Sequence, residues 1–324
     1  MAGPPALTRR QVVLAAGAAI PAAAIAASAL GKGGGIAAQA PALPERTVRL
    51  VVDAQATADG AGVKLRRALG SRALPMLDPF LLLDEMHSDR PEDYQAGFPT
   101  HPHRGFETVT YVVEGAVHHR DSLGNEGHLV SGSTQWMTAG RGIVHSEMPG
   151  HDASSTRLWG FQLWVNLPAS LKMTTPRYQD LMPGRIPEVS VDDATVRLVA
   201  GQAGGRSGPV EGIVTSPTML DVRVPAKGRM SQPLPQGHNA FVYVIDGAAE
   251  IGAQAGTRVR SGQVAVLGPG GAVTLRSDGG ARALLFAARP IGEPVARSGP
   301  FVMNTEEELQ AAWDDYRAGR LVGG

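Results

Sequence analysis

Two stretches of this chain, more than a hundred residues apart, repeat one another. Thr110-Tyr111-Val112-Val113-Glu114-Gly115 recurs as Val242-Tyr243-Val244-Ile245-Asp246-Gly247, displaced by 132 positions, and Ser131-Gly132 recurs as Ser261-Gly262, displaced by 130. A glycine cluster follows in each copy, Gly140-Arg141-Gly142 and Gly268-Pro269-Gly270-Gly271. A period of this length is a whole domain rather than a solenoid unit, so the chain reads as a duplicated domain. Within each copy, short β-rich runs such as Thr108 to Val113, Ala116 to His119, Phe241 to Ile245, Val264 to Leu267 and Ala283 to Ala288 alternate with turn signals. Leu123-Gly124-Asn125-Glu126-Gly127 is one such turn. With 41 glycines and 24 prolines in 324 residues, short strands and tight turns are expected throughout. The fold class is therefore all-β, a sandwich or barrel in each half. Only the C-terminus predicts a helix. Asn304 or Thr305 can cap it, Glu306 to Glu308 suit its positive first turn, Leu309, Ala312, Trp313 and Tyr316 form an apolar stripe, and Gly319 can end it.

The first thirty residues read as an address rather than as fold. Arg9-Arg10 follows Thr8, an Ala-rich apolar run extends from Val12 to about Leu30, and Ala27-Ser28-Ala29 forms an A-x-A cleavage pattern. The run is nearly long enough to span a bilayer. It is mostly alanine, however, with Gly17 and Pro21 inside, and alanine gains little from lipid. Residues 1–29 are thus expected to be a twin-arginine-type signal peptide, giving a periplasmic or secreted protein with no stable membrane insertion after cleavage. A flexible linker is expected at 30–46, a first barrel at 47–180, a second at 181–300 and a helical tail at 301–324.

The charges balance, 30 basic against 30 acidic, and no basic stripe is visible, which argues against nucleic acid as a direct partner. The chain has no cysteine, so any metal must be held by nitrogen and oxygen. Among nine histidines, His101-Pro102-His103 forms an H-x-H pair, and His145-Ser146-Glu147 forms an H-x-E pair further on. Residues i and i+2 of a strand share a face, so each pair can offer two ligands to one point. His101, His103, His145 and Glu147 together suit Fe(II), Mn(II), Ni(II), Cu(II) or Zn(II). An octahedral ion would keep two positions for substrate or oxygen, and Glu147 is also a candidate catalytic base. The second copy serves as a control. Shifting by the local offsets puts His101 and His103 on Pro233 and Pro235, and His145 and Glu147 on Leu275 and Ser277, so no metal is expected there. Glu107 is a lesser candidate, as a fifth ligand or as the partner of a ligand imidazole. His118 and His119 are adjacent, so at most one faces inward; His87, His128, His151 and His238 read as ordinary. Trp136, Trp159, Phe161 and Trp164 read as core or pocket wall.

With these residues in place, the chain resembles the pirin family of the cupin superfamily, from about Thr47 to Val322. The resemblance is carried by Leu81 to Asp89 (LLLDEMHSD), Phe98 to Gly115 (FPTHPHRGFETVTYVVEG), Met137 to Pro149 (MTAGRGIVHSEMP) and Gly299 to Leu309 (GPFVMNTEEEL). It implies two tandem cupin-type (double-stranded β-helix, or jelly-roll) barrels with a short C-terminal helix. It implies one divalent transition metal in the N-terminal barrel, Fe(II) by preference with Mn, Ni, Cu, Co or Zn compatible, held by His101, His103, His145 and Glu147. It disfavours Glu107 as a ligand. Some pirins resemble quercetin 2,3-dioxygenase and open the flavonol ring with molecular oxygen; others are metal- or redox-responsive regulators that bind protein partners. The first role implies a small aromatic substrate and O2, with a monomer expected. Export sets this sequence apart from the mostly intracellular family and favours that role.

Overall fold

Each copy of the repeat folds into a barrel of antiparallel strands, and the alternation along those strands explains the packing. The computed structural model describes residues 44–150, 155–253 and 255–322. The signal read at 1–29, most of the linker read at 30–46, and His151 lie outside the described residues. Among the described residues, no helix is long and apolar enough to cross a membrane.

In the run Phe241 to Ile245 every residue is buried, because both faces of its strand are covered. Phe241, Tyr243 and Ile245 point into a core shared by the two barrels, while Val242 and Val244 point into the second barrel's own interior. The first copy behaves likewise: Val109 and Tyr111 join the shared core, and Val112 faces the first barrel's interior. This explains why the repeated motif is so apolar. Trp136 and Phe161 also fill the shared core.

The two interiors differ. The second is packed by aliphatic side chains such as Val196, Leu220, Val222, Met230, Leu275 and Leu285. In the first, separate apolar clusters leave buried polar residues between them: His103, Thr110, His145, Glu147 and Gln162. Burying polar groups costs free energy unless they are paired, so their concentration in one barrel marks that barrel as the one with a site.

The first and last described strands cross between the halves. Residues 47–53 belong by sequence to the expected first barrel, yet the strand Val48–Asp53 pairs with Gln263–Leu267 of the second. Arg46, 1% exposed, anchors this segment by donating to the carbonyls of Pro235, His238 and Gly268. In return the C-terminal strand Phe301–Met303 bridges to Arg104 of the first barrel, and Val302 packs with Phe106 and Trp164. The helix runs Glu306–Arg317 with Thr305 as N-cap, and Glu308 completes a capping box. Its Leu309 and Ala312 pack on Phe301 and Val144.

Strand register refines one expectation. In the first barrel His145 lies opposite His101, and Ile143 opposite His103. In the second, Leu275 lies opposite Met230, and Val273 opposite Gln232. The counterparts of His101 and His103 are thus Met230 and Gln232, not Pro233 and Pro235. The connection after the strand Gly228–Pro233 is three residues longer than the one after Phe98–His103, which a constant offset misses.

Candidate metal centre

The site lies on a four-stranded sheet ordered Phe98–His103, Ile143–Pro149, Ala116–Asp121, Glu126–Val130. Alternation places Ile143, His145 and Glu147 on the inward face and Val144 and Ser146 on the less buried one. In the neighbouring strand His119 is buried and His118 exposed, so one of the adjacent pair faces inward, as expected. His118 instead lies beside His128, the rings tilted and their centroids 4.2 Å apart.

Three of the four expected ligands converge. One ring nitrogen from each of His101, His103 and His145 lies within 4.8 Å of the others. The Nε2 atoms of His101 and His103 are 3.1 Å apart. The Nε2 of His145 is buried with no hydrogen-bond partner. The opposite nitrogens are occupied: His101 Nδ1 on the Pro99 carbonyl at 2.8 Å, His103 Nδ1 on the Pro300 carbonyl at 3.2 Å, and His145 Nδ1 on His119 Nδ1 at 3.4 Å. Carbonyl oxygens only accept, so His101 and His103 carry their protons on Nδ1 and aim bare Nε2 lone pairs at each other. Such lone pairs repel unless a cation lies between them, and the donor set fits one. Burial, reinforced by neighbouring imidazoles, holds His103 and His145 well below the ordinary imidazole pKa. They are therefore neutral near pH 7, the form a metal requires.

Glu147 reaches the same interior by another route. Its Oε1 accepts from the Thr110 hydroxyl at 2.7 Å and its Oε2 from the Gln162 amide at 2.6 Å, outside the histidine cluster. The strand bulges between His145 and Glu147 relative to Phe98–His103, which turns the carboxylate aside. Gln162 also accepts from Trp164 Nε1 at 3.1 Å, so Trp164, Gln162 and Glu147 form one chain. Thr110 and Gln162 carry no sequence signal of this role. Glu107 lies on the other face of its strand, with Val109 and Tyr111, where it accepts from Thr138.

A cavity of about 760 Å³ opens onto two of the three histidines, with His101, His103, Gln162 and Trp164 in its wall. Its size suits an organic ligand. The Arg297 guanidinium lies 4.5 Å over the Trp164 ring, while Arg67 is paired with Asp59 and Asp84. Trp159 is not part of this wall; it stacks on His87 at 4.4 Å.

Two fused β-barrels, one carrying a buried histidine triad beside a cavity and the other packed inside by aliphatic side chains, define a bicupin with a site able to hold a metal in its N-terminal half. The chain belongs to the pirin family: the Pirin family profile matches residues 62–165 and the Pirin C-terminal cupin domain profile residues 219–322. A pirin-like protein of Caulobacter vibrioides is 46% identical over 281 residues, 86% of this chain and 100% of that protein. Pirin of Homo sapiens is 43% identical over 277 residues, 84% of this chain and 92% of that one. Among solved structures, quercetin 2,3-dioxygenase from Acinetobacter baumannii superposes with a TM-score of 0.78 at 30% identity, covering 86% of this chain and 98% of that one.

Proposed function

We propose that this chain is an exported metal-dependent dioxygenase that opens the ring of flavonol-like phenols with molecular oxygen, its ion held by His101, His103, His145 and Glu147. The observation that carries the reading is the buried, unpartnered Nε2 of His145 in a triad with His101 and His103, two members of which line a ligand-sized cavity. Likeness in sequence and fold to quercetin 2,3-dioxygenase from Acinetobacter baumannii supports the substrate class. When bound, a divalent ion, Fe(II) by preference, lowers the pKa of a phenolic hydroxyl and holds the substrate for attack. The chain's own residues supply the rest. Trp164, with Arg297 over its ring, forms part of the wall of the cavity that would take a planar substrate. Glu147, bonded to Thr110 and Gln162, would complete the ligand set and would take the substrate hydroxyl proton. Thr110 and Gln162 hold that carboxylate within reach.

The test is oxygen consumption and carbon monoxide release with quercetin, measured on the Fe, Mn, Ni, Cu and Co forms. Turnover in one or more is expected. None in any fully loaded form overturns the flavonol reading and leaves a metal-responsive binding role. Export rests on Arg9-Arg10, the apolar run and Ala27-Ser28-Ala29. Cell fractionation and intact mass should find a periplasmic protein lacking about its first 29 residues, the length of the expected signal. Full-length protein confined to the cytoplasm overturns export.

A further inference from the structure

Behind His145 a chain of side-chain hydrogen bonds leads away from the triad. It ends at Asp121, whose carboxylate has no solvent exposure. Asp121 Oδ1 accepts from the main-chain N–H of Leu123 at 2.8 Å and of Asn125 at 2.9 Å, and Oδ2 accepts from the Asn125 side chain at 2.7 Å. Burial alone raises this carboxyl, but hydrogen bonds from Tyr178 and Asn125 outweigh it and hold it below its ordinary value.

A carboxylate held by three donors accepts rather than donates, so the protons beside it lie on the Tyr178 hydroxyl and on His119 Nε2, which is 3.9 Å from Asp121 Oδ2. The Tyr178 oxygen then accepts from His119 Nε2, 3.2 Å away. With its proton on Nε2, His119 presents a bare Nδ1 to His145 Nδ1 at 3.4 Å, and His145 must donate there. Its own proton placed on Nδ1, His145 is left with a lone pair on Nε2, the buried atom that has no partner in the protein. Each assignment forces the next. His101 and His103 reach the same tautomer through main-chain carbonyls of Pro99 and Pro300. Of the three, His145 alone depends on other side chains for it.

We infer that His119, Tyr178 and Asp121 are positioning residues that fix the tautomer of His145 and aim its Nε2 at the ion, an inference that rests on the metal reading above. Outer partners of this kind set ring orientation and ligand basicity.

Two measurements on the full metal-free chain test it. The first is Zn(II) affinity by competition with a chromophoric chelator. The second is the nitrogen NMR signature of the His145 ring, which reports the tautomer directly. Wild type should show His145 protonated on Nδ1. Tyr178→Phe keeps the ring packed on His119 and removes the hydroxyl; it should bind Zn(II) about 10-fold more weakly and give mixed His145 tautomers. His119→Ala should do the same, which keeps the test decisive if either variant misfolds. His118→Ala, on the opposite face, should match wild type in both readouts. A wild-type His145 protonated on Nε2, or unchanged affinity and tautomer in folded Tyr178→Phe and His119→Ala, overturns the inference. Wild type that has the expected tautomer but binds no Zn(II) instead overturns the metal reading alone.

Discussion

The hydroxyl of Tyr111 donates to Asp221 across the boundary between the barrels at 2.6 Å. Its counterpart in the repeat, Tyr243, returns the contact by donating to Glu85 at 2.6 Å. Each tyrosine thus serves a buried carboxylate of the opposite barrel, and each carboxylate has a further cation, Arg282 for Asp221 and Arg66 for Glu85. Burial and then the adjacent carboxylate push both phenols far above their ordinary pKa, so they remain donors into alkaline solution.

Removing either hydroxyl leaves a buried carboxylate short of one donor. Tyr111→Phe and Tyr243→Phe should each lower stability by about 1–3 kcal/mol, the usual cost of an unsatisfied buried group. Urea unfolding checks this, with the midpoint falling and the slope unchanged.

Metal stoichiometry should follow the asymmetry of the two interiors. One ion per chain is expected in elemental analysis, and His145→Leu, which copies Leu275 of the second barrel, should reduce it to none. Leu275→Ala, at a fully buried position, should cost about 2–5 kcal/mol of stability and leave the stoichiometry unchanged.

Lys172 is 1% exposed and donates to the Gly105 carbonyl, the Asn166 side chain and the Val302 carbonyl. Burial pulls it down from 10.5 to about 8. Between those values the unfolded chain binds more protons than the folded one, so stability should rise with pH across that window. Below about pH 8 both states are protonated and Lys172 contributes no slope. Unfolding measured from pH 7 to 10 should show the rise in wild type and its loss in Lys172→Met. At pH 7 that variant should be weaker by about 1–3 kcal/mol, because three acceptors lose their donor.

Gly105 adopts φ +89°, and a Cβ there would run into the Val302 carbonyl. Gly105→Ala should therefore push the C-terminal segment off the first barrel and cost roughly 1–3 kcal/mol through strain alone. Because the same segment holds His103 through Pro300, Zn(II) binding should weaken with it. Calorimetry and metal titration on one preparation check both effects.

Much of this arrangement is legible in residue spacing. The i, i+2 pairs locate the ligand strands, the repeat locates two barrels, and Asn304 or Thr305 followed by the acidic run Glu306 to Glu308 locates the helix start. What spacing omits is which strands become neighbours. Alternation says that Thr110 and Gln162 face inward, not that both meet Glu147, because those strands meet only through long-range pairing. His119 reads from sequence only as one of two adjacent histidines; its bond to His145 depends on the pairing of Ala116–Asp121 with Ile143–Pro149. The offset error at Met230 and Gln232 has the same origin: loop length changes register without changing the pattern on either side.

The exchange of the outermost described strands gives the second barrel a reason to exist. The first described strand is the edge of one sheet, and the last described strand adjoins the Pro300 carbonyl that meets His103 in the other. Severed near Gly184, the two fragments would each lack a piece supplied by its sibling, so neither is a self-sufficient unit despite its ancestry as a copy. The repeat is thus joined by a mutual dependence: the half without a histidine cluster is part of the frame that keeps the other half's donors in place.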